Sequence, residues 1–258
     1  MFSFEKFNLG EGFKRHFEIV PAFDEQSLHE VYAIRHSVYC HDLKYEAERD
    51  DEQEIDDYDA QSVHCLLRTS NEQHGRVGCT RLVMTRSDDR DAPLPFESFC
   101  EGKLHKDTRM YPRDRVAEVS RLAVVSAYRR RKGEDRQALG VSDSDFGAQD
   151  MPRFPYIPIG LYLGTVALAR REGIEILFML TETRLVEHFS KLGVKLTPMG
   201  DYVEHRGARI PSMMDVNDIV KNLRRFVRPI WNTINNQIEM GYEAHRNTVR
   251  EVRHNLHA

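Results

Sequence analysis

The chain has 258 residues, 40% of them hydrophobic, and its formal net charge is only −4. This length suits one large domain or two small ones, and the near-balanced charge argues against a general affinity for nucleic acid. The cysteines at 40, 65, 79 and 100 lie far apart and share no metal-ligand spacing with histidine. We therefore expect free thiols, no metal and a cytoplasmic location. No apolar run reaches the roughly 20 residues that cross a bilayer.

The N-terminal half predicts a strand, a helix and an antiparallel hairpin. The phenylalanine-rich stretch 2–17 is interpreted as an element that packs on the core; the alternative is a helix at a membrane interface or along a substrate tunnel. After the predicted strand FEIVPAF, Asp24 is a candidate N-cap for a helix with one apolar face. The acidic segment 46–59 predicts a loop, and SVHCLLRT and GRVGCTRLVMTR predict two paired strands.

The next part of the chain predicts a loop with short helical pieces at 87–115, followed by a central strand. That strand, VAEVSRLAVV, is rich in β-branched residues. The polar residues 135–157 predict a mobile insertion. Two helices that close at Gly173 and Gly193 flank the buried strand IEILFML.

The C-terminal part places apolar residues on one helical stripe from Asp215 to about Ile238, which Pro229 would kink or break. We interpret the stripe as core packing; the alternatives are a homodimer face or a partner-binding helix. The last residues, which include His245, are expected to be frayed and solvated. The whole order predicts an α/β fold with a mixed central sheet flanked by helices. We expect a single domain with its core at about 17–205 and a C-terminal helical extension at 206–258.

Four short segments carry charged residues inside or beside predicted elements. They contain Arg35 in AIRHSVY, Asp56 and Asp59 in EIDDYD, Arg81 in GCTRLV, and Glu118 and Arg121 in EVSRLAV. Strand alternation places Glu118 and Arg121 on opposite faces, and a β-bulge would bring them to the same side. A charge on a buried strand needs a partner, which the acidic loop can supply. These residues alone leave a structural ion-pair network and an active site as open alternatives.

In this order, the four segments resemble the acyl-homoserine-lactone synthase (autoinducer synthase) family, a branch of the GNAT acyltransferase superfamily. The family's motifs LR-x-x-V-[FY], E-x-D-x-[FY]-D, G-x-x-RL and E-x-SR fall on Arg35, on Asp56 and Asp59, on Arg81, and on Glu118 and Arg121. The likeness covers about residues 20–130. It is closer still to N-acyl amino acid synthases and to acyltransferases of PEP-CTERM/exosortase gene clusters. Those relatives share the pattern DxxD-S-x-H and the run SRLAV-S-x-x-RRR.

The resemblance implies a GNAT-type fold and the transfer of an acyl group from a thioester to an amine. It makes Glu118 the candidate general base, with Arg121 beside it in the catalytic cluster. The candidate substrate ligands are Arg35, Asp56, Asp59 and Arg81. Arg35, together with Arg121, suits the substrate carboxylate, and the two aspartates suit an ammonium group and orient Arg81. A backbone N–H near Leu122 to Val124 would stabilise the oxyanion.

The thioester side is expected in the turn after the central strand, where GNAT enzymes hold the pantetheine pyrophosphate. The residues in that place are Leu122, Val124, Arg129, Arg130, Arg131, Lys132 and Gly133. Four consecutive cations favour an acidic acyl carrier protein over coenzyme A as the donor. The alternative is a run of solvated surface charges with no binding role. Acyl-carrier-protein or acyl-CoA thioester is thus a cosubstrate, and no permanently bound cofactor is expected.

The acceptor is expected to be an amino acid. Homoserine-lactone synthases usually carry a tryptophan in the segment after the first arginine, where this chain has Tyr45 as its nearest aromatic residue. This departure argues against S-adenosylmethionine and favours an N-acyl amino acid as product. The alternatives are a homoserine-lactone signal synthase and, in another class, an inactive GNAT-like binding module.

Overall fold

The computed structural model describes residues 9–71, 74–129 and 155–256. In these ranges the strands are β1 (Phe17–Ala22), β2 (Ser62–Thr69), β3 (Arg76–Met84), β4 (Val116–Val124), β5 (Ile176–Thr181), β6 (Thr197–Pro198), β7 (Val203–Glu204) and β8 (Ala208–Asp215). The α-helices are α1 (Leu9–His16), α2 (Glu25–Arg35), α3 (Pro95–Phe99), α4 (Tyr156–Arg171), α5 (Thr183–Leu192), α6 (Val216–Asn222) and α7 (Arg228–Leu256). None of these helices combines the length and apolarity needed to span a membrane.

The strands form one mixed sheet in the order β1-β2-β3-β4-β5-β8-β6, and β7 pairs with the start of β8. Strands β4 and β5 run parallel and pair only from Val116–Glu118 against Ile176–Phe178. Beyond that point β4 continues along β3, whereas β5 continues along β8. The two parallel strands therefore part in the middle of the sheet. This mixed sheet between helices, with a C-terminal helix, confirms the predicted fold class.

The two faces of the sheet are covered differently. Helices α4 and α7 pack on one face, where a single large apolar cluster extends from Phe13 to Tyr242. Helix α4 is apolar on nearly all sides because it lies between the sheet and α7. On the opposite face, α2 covers one apolar cluster around Val31 and Leu66, and α3 covers another around Phe96 and Phe178.

Several local predictions are confirmed. Asp24 caps α2, because its side chain accepts the Ser27 N–H at 2.8 Å. The apolar stripe after residue 215 is broken into α6 and α7, with Pro229 in the first turn of α7, where proline loses no helical hydrogen bond. Phe13 of α1 is fully buried in the large cluster, as expected of an element that packs on the core. Of the predicted insertion at 135–157, residues 135–154 lie outside the described residues, and α4 begins at Tyr156.

Strand β8 was not predicted. Its sequence ARIPSMMD contains Pro211, which cannot donate a ladder hydrogen bond and so argues against a central strand. In the fold, Pro211 pairs opposite Leu180 of β5, and its carbonyl accepts the Met199 N–H at 2.7 Å. The prediction of a frayed end around His245 was also wrong, because α7 continues to Leu256.

Candidate active site

Arg35, the last residue of α2, is fully buried on the α2 face of the sheet. Its guanidinium group binds Asp59 in a bidentate manner at 2.6 and 3.1 Å, and its Nε donates to Glu54. A charged group in the interior is tolerated only when it is paired and hydrogen-bonded in this way. Both donors and acceptors here are ionised, which makes these hydrogen bonds stronger than neutral ones.

Arg81 on β3 lies next to Arg35 in the same cluster. Its Nη1 contacts Asp56 at 2.5 Å and Asp59 at 2.9 Å, and its Nε donates to Ser120 Oγ on β4 at 3.1 Å. Ser120 is also the cross-strand neighbour of Arg81, so both side chains point to the same face of the sheet. The carboxylates are thus held by arginines from helix α2 and strand β3, and Ser120 on β4 in turn holds Arg81.

Arg121 joins this cluster because β4 bulges at this point. Between two flanking pairs, β4 has one residue more than β3, and Arg121 has a left-handed φ of 51°. The extra residue turns the Arg121 side chain toward Glu54 at 3.0 Å and Asp56 at 2.9 Å. The β-bulge expected to bring Glu118 and Arg121 to the same side is therefore present, at Arg121 and Leu122. The Arg121 guanidinium group also lies 5.5 Å from the centre of the Tyr39 ring.

The acidic loop holds its carboxylates through a short helical turn at Asp57–Gln61. Asp56 caps this turn by accepting the Tyr58 N–H at 3.0 Å, and Asp59 accepts the Asp56 N–H at 2.8 Å. This reciprocal capping is the local reason why aspartates spaced three apart face the same arginines.

Two further charged residues complete the cluster. Glu46, which follows α2, contacts Arg121 at 3.5 Å and pairs with Arg206 from the turn between β7 and β8. We call the whole set the charge network: Arg35, Arg81, Arg121, Arg206, Glu46, Glu54, Asp56 and Asp59. The sequence pattern gave no role to Glu46, Glu54 or Arg206.

Exposure divides the charge network into two groups of four. The inner four are no more than 4% exposed in their side chains: Arg35, Arg81, Glu54 and Asp59. The outer four are between 16% and 33% exposed: Arg121, Arg206, Glu46 and Asp56. Each group holds two cations and two anions. Only the outer four can touch a ligand from solvent, so Arg35, Arg81 and Asp59, predicted as substrate ligands, are placed to position the others.

The inner carboxylates are ionised. Burial alone would raise the pKa of Glu54, but hydrogen bonds from Arg35 and Arg121 outweigh it and lower the pKa to about 2. Burial would also raise the pKa of Asp59, but the hydrogen bonds and charge of Arg35 and the charge of Arg81 lower it to about 2. Burial would lower the pKa of the Arg35 guanidinium group, and its two carboxylate partners instead raise it. Arg35, Glu54 and Asp59 are therefore true ion-pair partners.

Glu118 has a different environment. It belongs to the last β4 residue pair with β5, opposite Phe178, and it is 5% exposed. Its carboxylate accepts the Phe96 N–H at 2.7 Å, beside the stacked rings of Phe96 and Phe178. Burial raises the pKa of Glu118 to about 7, although the Phe96 hydrogen bond and the charge of Arg81 act to lower it. A carboxyl group with this pKa can take up a proton near neutral pH.

His64 on β2 is the cross-strand neighbour of Arg81 and is 1% exposed. Its Nε2 lies 3.5 Å from Asp59 Oδ1, without hydrogen-bond geometry, and its ring packs edge-on against Tyr32. Both ring nitrogens lack a hydrogen-bond partner in the described part of the chain. Burial lowers the pKa of His64 to about 4, so the ring is neutral at pH 7.

The predicted thioester residues are only partly described. Val124 is buried, and the Leu122 carbonyl accepts the Tyr39 hydroxyl at 3.0 Å. Arg129, predicted to contact the carrier, is instead turned inward: its side chain is 2% exposed and pairs with Asp42. The remaining predicted residues, from Arg130 to Gly133, lie outside the described residues. Among the described residues, no cluster of His, Cys, Asp or Glu is arranged to hold a metal ion.

Comparison with known proteins concerns the fold. No curated protein matches the sequence. A family model described as an acetyltransferase (GNAT) domain matches residues 34–137, which include every member of the charge network except Arg206. With the mixed central sheet, this match makes the fold GNAT-like.

Among solved structures, TofI in a ternary complex with an inhibitor and MTA has a TM-score of 0.55 and 18% identity, and the match covers 79% of this chain and 96% of TofI. BjaI, a CoA-dependent acyl-homoserine lactone synthase solved with SAM and isopentyl-CoA, has a TM-score of 0.54 and 18% identity, covering 86% and 89%. The AHL synthase LasI has a TM-score of 0.53 and 18% identity, covering 81% and 95%. At this identity the likeness concerns the fold.

Proposed function

We propose that this protein is an N-acyltransferase that moves a fatty acyl chain from an acyl carrier protein thioester to the amine of an amino acid. The observation that carries the proposal is the position of the outer four charged residues. They surround the bulge of β4, just beyond the point where β4 parts from β5. A small zwitterion finds carboxylates and guanidinium groups there within one site.

The gap between β4 and β5 supports a thioester donor. Their ladder ends at Glu118 and Phe178, and β4 then continues for six more residues to Val124 along β3. An extended arm that carries amide groups, such as pantetheine, can pair with the β4 backbone that faces the gap. The preference for a carrier protein over coenzyme A rests on the cationic run that begins at Arg129 in the sequence. Because the Arg129 side chain is buried against Asp42, it does not contribute to a carrier-binding surface.

The reaction follows from this arrangement. Glu118 is itself buried, so it removes a proton from the acceptor ammonium group through a water molecule. The free amine attacks the thioester carbon, and a β4 backbone N–H near Leu122 to Val124 stabilises the oxyanion. The C–S bond then breaks and the carrier leaves as a thiolate, the nitrogen of the intermediate loses its second proton, the thiolate takes up one proton to become a thiol, and the N-acyl amino acid is released. No covalent enzyme intermediate is needed, and burial raises the pKa of the nearby Cys79 thiol to about 12, which disfavours a thiolate.

The surroundings of Tyr45 favour an amino acid over a sulfonium-bearing acceptor. The guanidinium group of Arg206 lies 5.2 Å from the centre of the Tyr45 ring. A sulfonium cation would need a free face of this ring, and one of its two faces is already covered by the chain's own arginine.

The substitution Glu118→Gln tests the proposal. Turnover should fall by at least about tenfold, because the proton acceptor is removed, while binding of the acyl carrier protein persists. The measurement is steady-state transfer from a fatty acyl carrier thioester to amino acids, together with lipid mass spectrometry of cells that express each form. Unchanged turnover would remove Glu118 from the base role. Acyl lactones in the extracts would support a signal synthase. The absence of both acyl amino acids and acyl lactones would support a binding module.

A further inference from the structure

The turn between β7 and β8 brings a second guanidinium group to the bulge of β4. Arg206 Nη2 pairs with Glu46 Oε1, and Arg121 Nη2 lies 3.5 Å from the same oxygen. Two guanidinium groups from distant parts of the chain therefore converge on one carboxylate. Such a pair is well suited to bind a carboxylate from a ligand, because each group offers several directed N–H donors.

The backbone at both arginines is unusual. Arg121 has φ 51° and Arg206 has φ 55°, in the left-handed region that non-glycine residues rarely adopt. At Arg206 the turn is completed by Gly207, with φ 103°, whose N–H donates to Glu204 Oε1 at 2.9 Å. Strained backbone of this kind is concentrated at binding and catalytic sites, where it directs a side chain. Here it directs both guanidinium groups toward one point.

Glu46 is the most replaceable member of the charge network. It is the most exposed of the eight, at 33% of its side chain, and its carboxylate contacts the two outer arginines. Asp56, the other outer carboxylate, is also bound to the buried Arg81 and caps a helical turn. If Glu46 moved away, Arg121 and Arg206 would keep a net positive charge, and Asp56 would stay in place beside them.

We infer that Arg121 and Arg206 form the carboxylate site for the acceptor amino acid, and that Glu46 occupies this site in the free protein. The acceptor carboxylate takes the place of the Glu46 carboxylate, and the acceptor amine lies toward Asp56. This inference rests on the proposed function and makes it more specific: the acceptor class is a free α-amino acid, and Arg206 selects it against an amine that lacks a carboxyl group.

The inference predicts opposite effects of two substitutions. Arg206→Gln removes a charge-assisted hydrogen bond and should raise the KM for the amino acid by about tenfold or more. Glu46→Gln removes the internal competitor and should lower the same KM by severalfold. The two probes are the protein amino acid that the wild type acylates fastest and the amine left when that amino acid loses its carboxyl group. For the amine, neither substitution should change KM by more than about twofold.

Controls separate this binding role from a structural one. Arg109→Gln removes an arginine that is 80% exposed and paired with Asp107, and it should leave both KM values unchanged. Arg206→Lys should recover part of the affinity for the amino acid. If Arg206→Gln does not fold, the fall in KM for Glu46→Gln decides alone.

The outcomes also separate this inference from the proposed function. A wild-type protein that acylates no amino acid contradicts the proposed function. A wild-type protein that acylates an amino acid, but whose ratio of KM values for the amino acid and the amine is changed by neither Arg206→Gln nor Glu46→Gln, overturns the inference alone.

Discussion

The two faces of the central sheet are made by the same strands and have opposite characters. On the face under α4 and α7, residues such as Leu82 and Val119 belong to one continuous apolar cluster. On the face under α2, their neighbour Arg81 belongs to the charge network, and their neighbour Ser120 accepts a hydrogen bond from Arg81. Two smaller apolar clusters lie on the same face. Because strand residues alternate between faces, a one-residue step along β3 or β4 moves from core to charge network.

The two faces contribute to the stability of the protein in different ways. The apolar face gains its free energy from burial that needs no particular partner. The charged face gains little net stability from its ion pairs, because desolvation offsets much of their attraction, yet it depends strongly on every partner being present. Such an arrangement holds Arg121 and Asp56 through several partners each, which suits the ligand-binding role proposed for them, at the expense of tolerance to substitution.

The largest expected effect is the removal of a buried partner from the charged face. Arg35→Leu leaves Glu54 and Asp59 without their main cation, and it should lower the free energy of unfolding by about 3–5 kcal/mol at pH 7. The measurement is urea unfolding followed by circular dichroism. A loss below about 1 kcal/mol would mean that the carboxylates find other partners, and would break the contrast between the faces.

The matched control lies on the apolar face and differs in its pH dependence. Leu161→Ala in α4 should cost about 2–5 kcal/mol at any pH between 4 and 8. The ion pairs lower the pKa values of Glu54 and Asp59 to about 2, so their stabilisation is present above the unfolded values near 4 and is lost as the pH falls toward 2. The penalty of Arg35→Leu should therefore shrink as the pH falls below about 4, whereas that of Leu161→Ala should not.

A smaller effect of opposite sign is expected at Glu118. Burial raises its pKa from 4.5 to about 7 in the folded protein, so the protonated form is preferred. Folding stability from this group is full below pH 4.5 and is lost as the pH rises through 7. Glu118→Gln should therefore raise the free energy of unfolding at pH 8, by at most about 3 kcal/mol, and change it little at pH 4.

The control for this prediction is Glu97→Gln, on α3. Burial of Glu97 is outweighed by the hydrogen bonds from Arg113 and Thr108, which lower its pKa. The same chemical change should therefore destabilise the protein at pH 8. If both substitutions shifted stability in the same direction, the environment assigned to Glu118 would be wrong.

Much of the charged face was predictable because its members lie in short motifs with local causes. Asp56 and Asp59 are held by a capping turn within five residues, and the bulge at Arg121 follows from the need to pair a charge on a buried strand. Periodicity found α2 and the apolar stripe of the C-terminal helices. These features depend on neighbours in sequence.

The rest depends on contacts between distant residues. Glu46 and Arg206 are 160 positions apart, and their pairing requires the turn that leads into β8. The sequence does not indicate β8 as a strand, because β8 contains Pro211. Arg129 was interpreted as a surface cation from its place in a basic run. Its partner Asp42 is 87 positions away, and that pair turns it inward. No local pattern reports such tertiary partners.

The smallest effect is expected at two buried polar side chains that lack a hydrogen-bond partner in the described structure, one taken from each face. His64 has no hydrogen-bond partner at either ring nitrogen on the charged face, and Thr181 has none at Oγ1 in the described structure on the apolar side of β5. Replacing a buried polar group that makes no hydrogen bond by an apolar one of similar size is nearly neutral or stabilising. His64→Leu and Thr181→Val should each change the free energy of unfolding by less than about 1 kcal/mol at pH 7.5.

Lowering the pH should change the stability effect of the His64 substitution but not that of the Thr181 substitution. Burial lowers the pKa of His64 from 6.5 to about 4, so the stability associated with its neutral ring is full above pH 6.5 and is lost as the pH falls through 4. His64→Leu should therefore be more stable relative to wild type at pH 5 than at pH 7.5, whereas Thr181→Val should show no such change. If His64→Leu instead cost more than about 2 kcal/mol at pH 7.5, the contact with Asp59 would be a true ion pair, and His64 would belong to the charge network as a fifth cation.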